Sequence, residues 1–285
     1  MNIKDYIIRG IRYVIRGIPV VQTSVNIVRL SPSELLKGKT AIITGGTSGI
    51  GKAIAVAFIE AGARVCITGR DKEKIRIALN DIRKKTNTTN IDGIVLDNSN
   101  VPLIKDKISY IIDDLFGGQL DILVNNAGVN GGNLNNCSEE EYQNVMDTNL
   151  KGTIFLTRVI CKFMIDNHVS GNILNICSSS SLRPANTAYV ISKWGLRGYT
   201  LGLAKQLIKH NIVVNGLAPG PTATPMLLKD TSDITLENNP SGRFAMSEEI
   251  ANLAVVLTSS MGRMVVGDIL YATGGAAITT FDDLN

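Results

Sequence analysis

A tyrosine and a lysine stand four positions apart, at Tyr189 and Lys193, in a stretch whose pattern predicts a helix over 188–208. Side chains four residues apart lie on one face of a helix, so the hydroxyl and the ammonium are neighbours. A nearby ammonium stabilises a phenolate, and an isolated phenol titrates at about pH 10. Such a tyrosine can protonate a developing alkoxide or deprotonate an alcohol. The pair predicts proton transfer at an oxygen, although two such residues also occur on ordinary helix surfaces.

Hydroxyl groups stand a short distance upstream of this pair. The run from Ser178 to Ser181 follows Cys177, where a predicted strand ends. A hydroxyl there could hold a substrate carbonyl beside the tyrosine, and we favour Ser178 for this role. A serine cluster is also a common loop composition. Because open α/β sheets bind ligands at the carboxyl ends of their strands, the combination favours catalysis.

A glycine-rich turn runs from Gly45 to Gly51, between a predicted strand and a predicted helix. Glycine allows a tight turn and lets the backbone approach a pyrophosphate, whose charge then lies at the helix N-terminus. The placement of the turn between a strand and a helix predicts a dinucleotide site.

These candidates need a scaffold that brings them together, and the sequence alternates between apolar runs and helical patterns. The helical patterns at 50–61, 139–165 and 188–208 are typical of a parallel sheet covered on both faces. The sequence therefore predicts a single α/β domain with a Rossmann-type, doubly wound parallel sheet of about seven strands. The predicted strands are 41–44, 64–68, 91–96, 122–125, 172–177, 212–217 and 269–272.

Composition excludes several other classes of protein. With 285 residues, of which 44% are hydrophobic, the chain can form a large core. The net charge of +4 comes from interleaved signs, which argues against nucleic acid as a partner. Only two isolated histidines, His168 and His210, are present, so no Ser-His-Asp triad and no metal site is predicted. Four cysteines without a C-x-x-C pair predict free thiols in a reducing compartment, the cytoplasm.

Residues 1–37 are predicted to form an arm that precedes the main domain at 38–285. Apolar residues recur at helical spacing from Ile3 to Ile18, with Arg9, Arg12 and Arg16 among them. These arginines interrupt any signal-peptide core, and no apolar stretch is long enough to span a bilayer. A basic amphipathic arm could lie on a membrane surface. Docking on the body or on a neighbouring subunit is the favoured interpretation.

The motifs and their order resemble the short-chain dehydrogenase/reductase family over about residues 38–278. The spacing Gly45-x-x-x-Gly49-x-Gly51 departs from the common G-x-G-x-x-G fingerprint and is similar to that of this family. The further landmarks follow in the family's order: Asn125-Asn126-Ala127-Gly128, Asn149, Tyr189-x-x-x-Lys193 and Pro219-Gly220.

This resemblance implies hydride transfer between a nicotinamide cofactor and a carbonyl or alcohol substrate, with Tyr189 as general acid and base. Ser178 would hold the substrate oxygen. Ser179 is an alternative, because the segment up to Tyr189 is shorter than in the commonest members. Asn149 would anchor a water chain that reaches Lys193.

The resemblance also implies a set of cofactor contacts. Asp97 and Asn98 would flank the adenine, and Thr222 and Thr224 would hold the carboxamide end of the nicotinamide. The implied cofactor-binding residues are Gly45, Thr47, Ser48, Gly49, Ile50, Gly51, Arg70, Asp97, Asn98, Asn125, Ala127, Gly128, Tyr189, Lys193, Pro219, Gly220, Thr222 and Thr224.

The end of the second strand distinguishes the two nicotinamide cofactors in such folds. A carboxylate there favours the free 2′-hydroxyl of NAD, and an arginine favours the 2′-phosphate of NADP. Here Gly69 and Arg70 occupy that corner, so the sequence predicts NADP(H) in preference to NAD(H). Asp71 could partly neutralise Arg70, which could also be an ordinary loop arginine.

In overall character the sequence resembles 3-oxoacyl-acyl-carrier-protein reductases, including the run Glu248–Ala251 before the last helix. The stretch Asp166–Ser170 lacks the arginines with which those enzymes tend to engage an acidic carrier. Hydroxysteroid, sugar and xenobiotic carbonyl reductases therefore stay as alternatives. A non-catalytic nucleotide-binding scaffold is disfavoured because the catalytic residues are intact.

The segment between Met226 and Met246 is expected to shape the mouth of the pocket, since loops at the carboxyl ends of strands do so. The resemblance further implies a homodimer or homotetramer, with the helices that begin at Glu139 and Ala188 at the interface.

Overall fold

The computed structural model of the protein describes residues 34–228 and 233–276. Within these ranges seven parallel strands form one sheet with helices on both faces, which confirms the predicted doubly wound α/β fold. Apart from residues 34–37, the predicted arm lies outside the described residues.

The bounds of the elements follow the apolar runs closely. The strands are β1 (Thr40–Thr44), β2 (Arg64–Gly69), β3 (Ile91–Val95), β4 (Ile122–Asn125), β5 (Asn172–Ile176), β6 (Val213–Pro219), β7 (Thr222–Ala223), β8 (Ala245–Met246) and β9 (Ile269–Ala272). The α-helices are α1 (Gly49–Glu60), α2 (Lys72–Thr86), α3 (Val101–Tyr110), α4 (Glu139–Met146), α5 (Gly152–Asp166), α6 (Ala188–Leu207) and α7 (Ser247–Thr258).

The strand order places a crevice in the middle of the sheet. The order is β3-β2-β1-β4-β5-β6-β9, so the chain runs outward from β1 to β3 and then returns to the other side of β1. In register, Ala41 pairs with Val65 on one side and with Ile122 on the other. At such a reversal the connections leave on opposite faces of the sheet, and ligands bind beyond the carboxyl ends of the strands.

Two apolar layers hold the sheet between its helices. Successive residues of β1 point to opposite faces. Ile43 packs with Phe58 in the layer under α1, α2 and α7, and Ile42 packs with Ile160 in the layer under α3, α5 and α6. Leu36, which the predicted division assigns to the arm, is 1% exposed and belongs to the first layer.

The predicted continuous helix over 139–165 is wrong. The structure divides it into α4 and α5, which are joined by a π-helical turn at Asp147–Lys151. Gly152, which follows this turn, packs so closely on the loop after β3 that a Cβ atom would collide with the backbone oxygen of Asn98. The wide turn therefore lies directly before a close tertiary contact between Gly152 and Asn98.

At the amino edge of the sheet, one carboxylate joins β1 to β4. Oδ1 of Asp121 accepts from Nζ of Lys39 at 2.9 Å, and Oδ2 accepts from the backbone N–H of Thr40 at 3.0 Å and from Nε2 of Gln119 at 2.6 Å. Burial raises the pKa of Asp121, but the hydrogen bonds from Lys39, Thr40 and Gln119 outweigh it and hold the pKa below its usual range.

Among the described residues, no helix is both long and apolar enough to cross a bilayer.

Candidate active site

A cleft of about 800 Å³ opens at the carboxyl edge of the sheet, where the strand order reverses. Most of the residues predicted from the sequence line it. These are Gly45, Thr47, Ser48, Gly49, Ile50, Arg70, Asp97, Asn98, Ala127, Gly128, Ser178, Tyr189, Lys193, Pro219, Gly220, Thr222 and Thr224. Ser179 also lines it, whereas Gly51, Asn125 and Asn149 lie behind the walls.

The glycine-rich turn is built to fit against the loop after β4. Gly45 has a φ of +65°, and a Cβ atom there would lie 2.8 Å from Cα of Ala127. A Cβ on Gly51 would collide with the side chain of Asn126, which donates to the backbone oxygens of Thr44 and Gly45 at 2.9 and 3.0 Å. Gly51 therefore serves packing in this structure and does not face the cleft.

The amino end of α1 is open toward an anion. Ser48 occupies the N-cap position without a side-chain cap, and the first turn of α1 contains no acidic residue. Both Ser48 and Gly49 line the cleft. The backbone N–H groups of a helix N-terminus bind phosphate groups well, so this end of α1 suits a pyrophosphate.

Two buried polar atoms in the wall of the cleft lack partners among the described residues. Nδ2 of Asn98 and Oγ1 of Thr148 have no hydrogen-bond partner, and both residues line the cleft. Because a buried polar group without a partner is costly, these atoms suit a polar ligand that completes their hydrogen bonds. The residues present therefore fit a dinucleotide.

Asn125 supports the cleft from behind. Its Nδ2 donates to Oγ1 of Thr157 and to Oδ1 of Asn175, both at 2.8 Å, and the residue is 3% exposed. Asn125 thus joins β4 to α5 and β5.

Arg70 and Lys74 stand at the end of β2, at the outer end of the cleft. Asp71, between them, caps α2, and its carboxylate accepts from the backbone N–H groups of Glu73 and Lys74 at 2.8 and 3.0 Å. These backbone hydrogen bonds, that from Lys74 first, lower the pKa of Asp71. Oδ1 of Asp71 therefore caps the helix N-terminus, and within the described ranges no ion pair engages Arg70 or Lys74.

Tyr189 is positioned by the start of α6. Thr187 caps this helix by accepting from the backbone N–H of Val190 at 3.1 Å. The backbone N–H of Ala188 donates to the carbonyl of Gly132 at 2.7 Å, in a contact so close that a Cβ on Gly132 would lie 2.7 Å from that of Ala188. This contact fixes the first turn of α6, and with it Tyr189, against the loop after β4.

Lys193 is a buried cation beside Tyr189. Its side chain is 5% exposed, and Nζ lies 5.7 Å from the centroid of the Tyr189 ring. Nζ donates to the carbonyl oxygen of Ile176 at 2.7 Å, and in the described part of the chain it forms no ion pair. Burial raises the pKa of the neighbouring Cys177 thiol, and the charge of Lys193 opposes this only in part. Cys177 therefore stays protonated, which leaves the hydroxyl groups as the reactive polar groups here.

Ser178 follows β5 by two residues and lines the cleft. It caps a 3₁₀ turn at Ser179–Leu182, and its Oγ accepts from the backbone N–H of Ser180 at 3.1 Å. The hydroxyl oxygen is thereby fixed, and its proton can be donated toward the cleft. Ser178 and Ser179 are both buried.

Asn149 connects the cofactor side of the cleft to the catalytic helix. Its side chain accepts from the backbone N–H of Val129 at 2.8 Å and donates to the carbonyl of the same residue at 2.9 Å. Nδ2 also donates to Oγ of Ser192, next to Lys193, at 3.1 Å. The anchoring of a water chain by Asn149 stays a prediction.

Sequence reasoning did not single out Lys74, Thr148 or Arg183, all of which line the cleft. Lys74 could have been predicted from the sequence, because it stands four residues after Arg70, at helical spacing. Thr148 adjoins Asn149, but its burial depends on the π-helical turn. No motif marks Arg183.

Comparison with known proteins identifies a single family. A family model described as short chain dehydrogenase matches residues 39–235. The chain is 34% identical over 248 residues to the (2S)-[(R)-hydroxy(phenyl)methyl]succinyl-CoA dehydrogenase subunit of Thauera aromatica, with 85% of this chain and 98% of that protein covered. It is 33% identical over 249 residues to a 3-oxoacyl-[acyl-carrier-protein] reductase of Thermotoga maritima, with 85% and 99% covered.

A solved structure has a similar fold. L-sorbose reductase from Gluconobacter frateurii, crystallised with NADPH and L-sorbose, is 28% identical, with a TM-score of 0.76 over 86% of this chain and 98% of that chain.

Proposed function

The chain belongs to the short-chain dehydrogenase family and is an oxidoreductase, and from this premise we propose that it interconverts a ketone and a secondary alcohol with NADP(H). The observation that carries the proposal is that Ser178, Tyr189 and Lys193 line one cleft together with the glycine-rich turn. If Tyr189 and Lys193 were only surface residues of a helix, they would not be expected to line the same cleft as a nucleotide-binding turn.

In this mechanism Tyr189 transfers the proton. Its hydroxyl protonates the developing alkoxide in reduction and deprotonates the alcohol in oxidation. Lys193, which is buried and forms no ion pair in the described part of the chain, holds its ammonium 5.7 Å from the centroid of the Tyr189 ring. When bound, the nicotinamide supplies or accepts the hydride.

Ser178 holds the substrate oxygen beside Tyr189. Its Oγ is already an acceptor for the backbone N–H of Ser180, so its proton is free for the carbonyl oxygen. This hydrogen bond is the reason why we favour Ser178 over Ser179. Asn149 keeps Val129 and Ser192 in place, and so positions both walls around the reacting atoms.

The preference for NADP(H) is supported by the corner at the end of β2. A 2′-phosphate there would meet the guanidinium of Arg70 and the ammonium of Lys74, while Asp71 is engaged as a helix cap. NADPH is also the cofactor named for the L-sorbose reductase structure.

For the substrate, a 3-oxoacyl thioester is the first candidate, because the chain is similar to a 3-oxoacyl-[acyl-carrier-protein] reductase. The alternatives are a steroid, a sugar or another carbonyl compound. The similarity to L-sorbose reductase supports a sugar as one of these candidate substrates. A non-catalytic scaffold is disfavoured, because the polar groups of the cleft are placed for turnover.

We also propose that the enzyme is a homodimer or homotetramer assembled through α4, α5 and α6. Large apolar side chains are exposed on these helices, at Tyr142, Phe155, Trp194 and Leu201. Apolar exposure of this kind is typical of a surface that another subunit covers.

Four free cysteines support a reducing compartment such as the cytoplasm.

A fluorescence titration with NADPH and NADH tests the proposal. It is followed by assays of the oxidation of each nucleotide in the presence of ketones and 3-oxoacyl thioesters. We expect tighter binding of NADPH and oxidation of NADPH with at least one ketone. Absence of binding by either nucleotide would support the scaffold instead.

A further inference from the structure

Arg183 lies at the mouth of the cleft, and the mechanism above does not use it. It lines the cleft together with Ser178 and Tyr189, and its side chain is exposed. Its backbone is held on both sides, because the N–H donates to the carbonyl of Ser180 at 3.1 Å and the carbonyl accepts from Nε1 of Trp194 at 2.8 Å. The structure thus fixes the place from which the guanidinium reaches out.

The guanidinium of Arg183 has no internal partner within residues 34–228 and 233–276. Several other arginines are engaged, although Arg158, which is exposed and does not line the cleft, also lacks an internal partner in the described part of the chain. Arg243 binds Glu249 through two hydrogen bonds of 2.8 Å, Arg83 donates to the carbonyl of Ile91, and Arg263 donates to the carbonyl of Asn211. Arg183 shares its lack of a partner with Arg70, for which a cofactor phosphate is proposed.

The surroundings of Arg183 favour an anion. The two carboxylates that line the described cleft, Asp71 and Asp97, belong to the adenosine side and are both occupied, Asp97 by the backbone N–H and hydroxyl of Ser99. Met226 and Leu227, which also line the cleft, are apolar and are 53% and 51% exposed. The substrate end therefore combines the exposed Arg183, which has no internal partner in the described ranges, with the buried Lys193 and two apolar side chains.

We infer that Arg183 binds a free carboxylate of the substrate, so that the enzyme prefers an oxo acid both to neutral ketones and to a 3-oxoacyl thioester that has no free carboxylate; this inference rests on the proposed ketone–alcohol activity. A planar guanidinium binds a carboxylate through two parallel N–H bonds. One exposed cation, Arg183, matches the single charge of a carboxylate, since Lys193 is buried and donates to the carbonyl of Ile176, whereas the proposed phosphate site after β2 has two exposed cations, Arg70 and Lys74. The two apolar side chains accommodate the carbon chain between the carboxylate and the reacting carbonyl.

The experiment compares 2-oxo, 3-oxo, 4-oxo and 5-oxo acids with their methyl esters, using the full chain and NADPH. Kinetics are measured for the wild type, Arg183→Met, Arg183→Lys and the control Lys105→Met, which removes an exposed charge on α3, away from the cleft. We expect Arg183→Met to lower kcat/KM for the favoured acid by roughly 10- to 100-fold, mainly through KM, with its ester unaffected. Arg183→Lys should recover part of this, and Lys105→Met should match the wild type.

An equal acid-to-ester ratio in the wild type and Arg183→Met would overturn the inference while the reductase proposal stands. A matching loss of NADPH affinity in Arg183→Met would also overturn it, since Arg183 would then bind the cofactor. Absence of turnover with every ketone and both nucleotides would overturn both proposals. Competitive inhibition of ester reduction by succinate in the wild type, lost in Arg183→Met, is expected as a measure of binding alone.

Discussion

The polar groups around Asp121, at the amino edge of the central sheet, and those of the cleft, at the carboxyl edge, are used in opposite ways. At the amino edge, Asp121 receives hydrogen bonds from Lys39, Thr40 and Gln119. At the carboxyl edge, among residues 34–228 and 233–276, Asn98 and Thr148 keep buried polar atoms without partners, and Arg70 and Arg183 form no ion pair.

The difference separates stability from function. Polar groups that are satisfied inside the protein contribute to folding, whereas polar groups left open gain their partners only when a ligand binds. Substitutions at the carboxyl edge should therefore change activity with little change in folding, and substitutions at the amino edge should do the reverse.

Tyr189→Phe should have the largest effect. Loss of the proton donor is expected to lower kcat by roughly 1,000-fold, as general acid–base groups contribute about 10²- to 10⁴-fold. The NADPH affinity in fluorescence titration and the thermal midpoint should stay near the wild-type values. Turnover that matched the wild type would disprove the mechanism.

At the amino edge, Asp121→Asn should do the opposite. The amide loses the charge-assisted bond from Lys39 and cannot accept from every present donor, which should cost about 2 kcal/mol of unfolding free energy. Urea unfolding measures this loss, and kcat/KM under native conditions should be unchanged. A loss of kcat/KM without a loss of stability would remove the distinction between the edges.

The pH dependence of this loss sharpens the comparison. Because the pKa of Asp121 is lowered in the folded state, its contribution is complete above the ordinary aspartate pKa of about 3.9 and is lost as pH falls through the folded-state pKa. Unfolding curves of the wild type and Asp121→Asn should therefore differ at neutral pH and converge in acid. Curves that stay parallel down to pH 2 would assign the stability to other contacts.

Arg70→Ser should have the smallest effect in this series. Removal of one of two cations at the proposed phosphate site should raise KM for NADPH by roughly 10-fold and leave KM for NADH unchanged. Arg76→Ser is the matched control, because Arg76 pairs with Glu73 and does not line the cleft. Equal changes for both nucleotides would contradict a 2′-phosphate site.

Much of the fold could be predicted from the sequence, because buried parallel strands read as apolar runs. The strands at Ile122–Asn125 and Ile269–Ala272 have the predicted bounds. The division of the long helix at Asp147–Lys151 could not be predicted, since no proline interrupts that stretch, a single glycine such as Gly152 is tolerated within a helix, and the turn accompanies packing of Gly152 against Asn98.

The candidate site divides in the same way. Tyr189 and Lys193 were predictable because their spacing has chemical meaning by itself. Gly51 was assigned to the cofactor from its motif, yet its missing Cβ makes room for Asn126, a contact between distant segments that no local pattern reveals. Arg183 belongs to no sequence motif. It can be identified only from the structure, because it lines the cleft and has no internal partner among the described residues.

The π-helical turn at Asp147–Lys151 also bears on how this chain can change over generations. Loss of one residue there would convert the wide turn into an ordinary α-helical turn and displace the residues inside it, Asn149 among them. Asn149 would then lose its contacts to Val129 and Ser192 together. Insertions and deletions in this stretch should therefore be excluded even where replacement of an exposed side chain such as Lys151 is accepted, so descendants of this sequence should keep the length of the segment more faithfully than its composition.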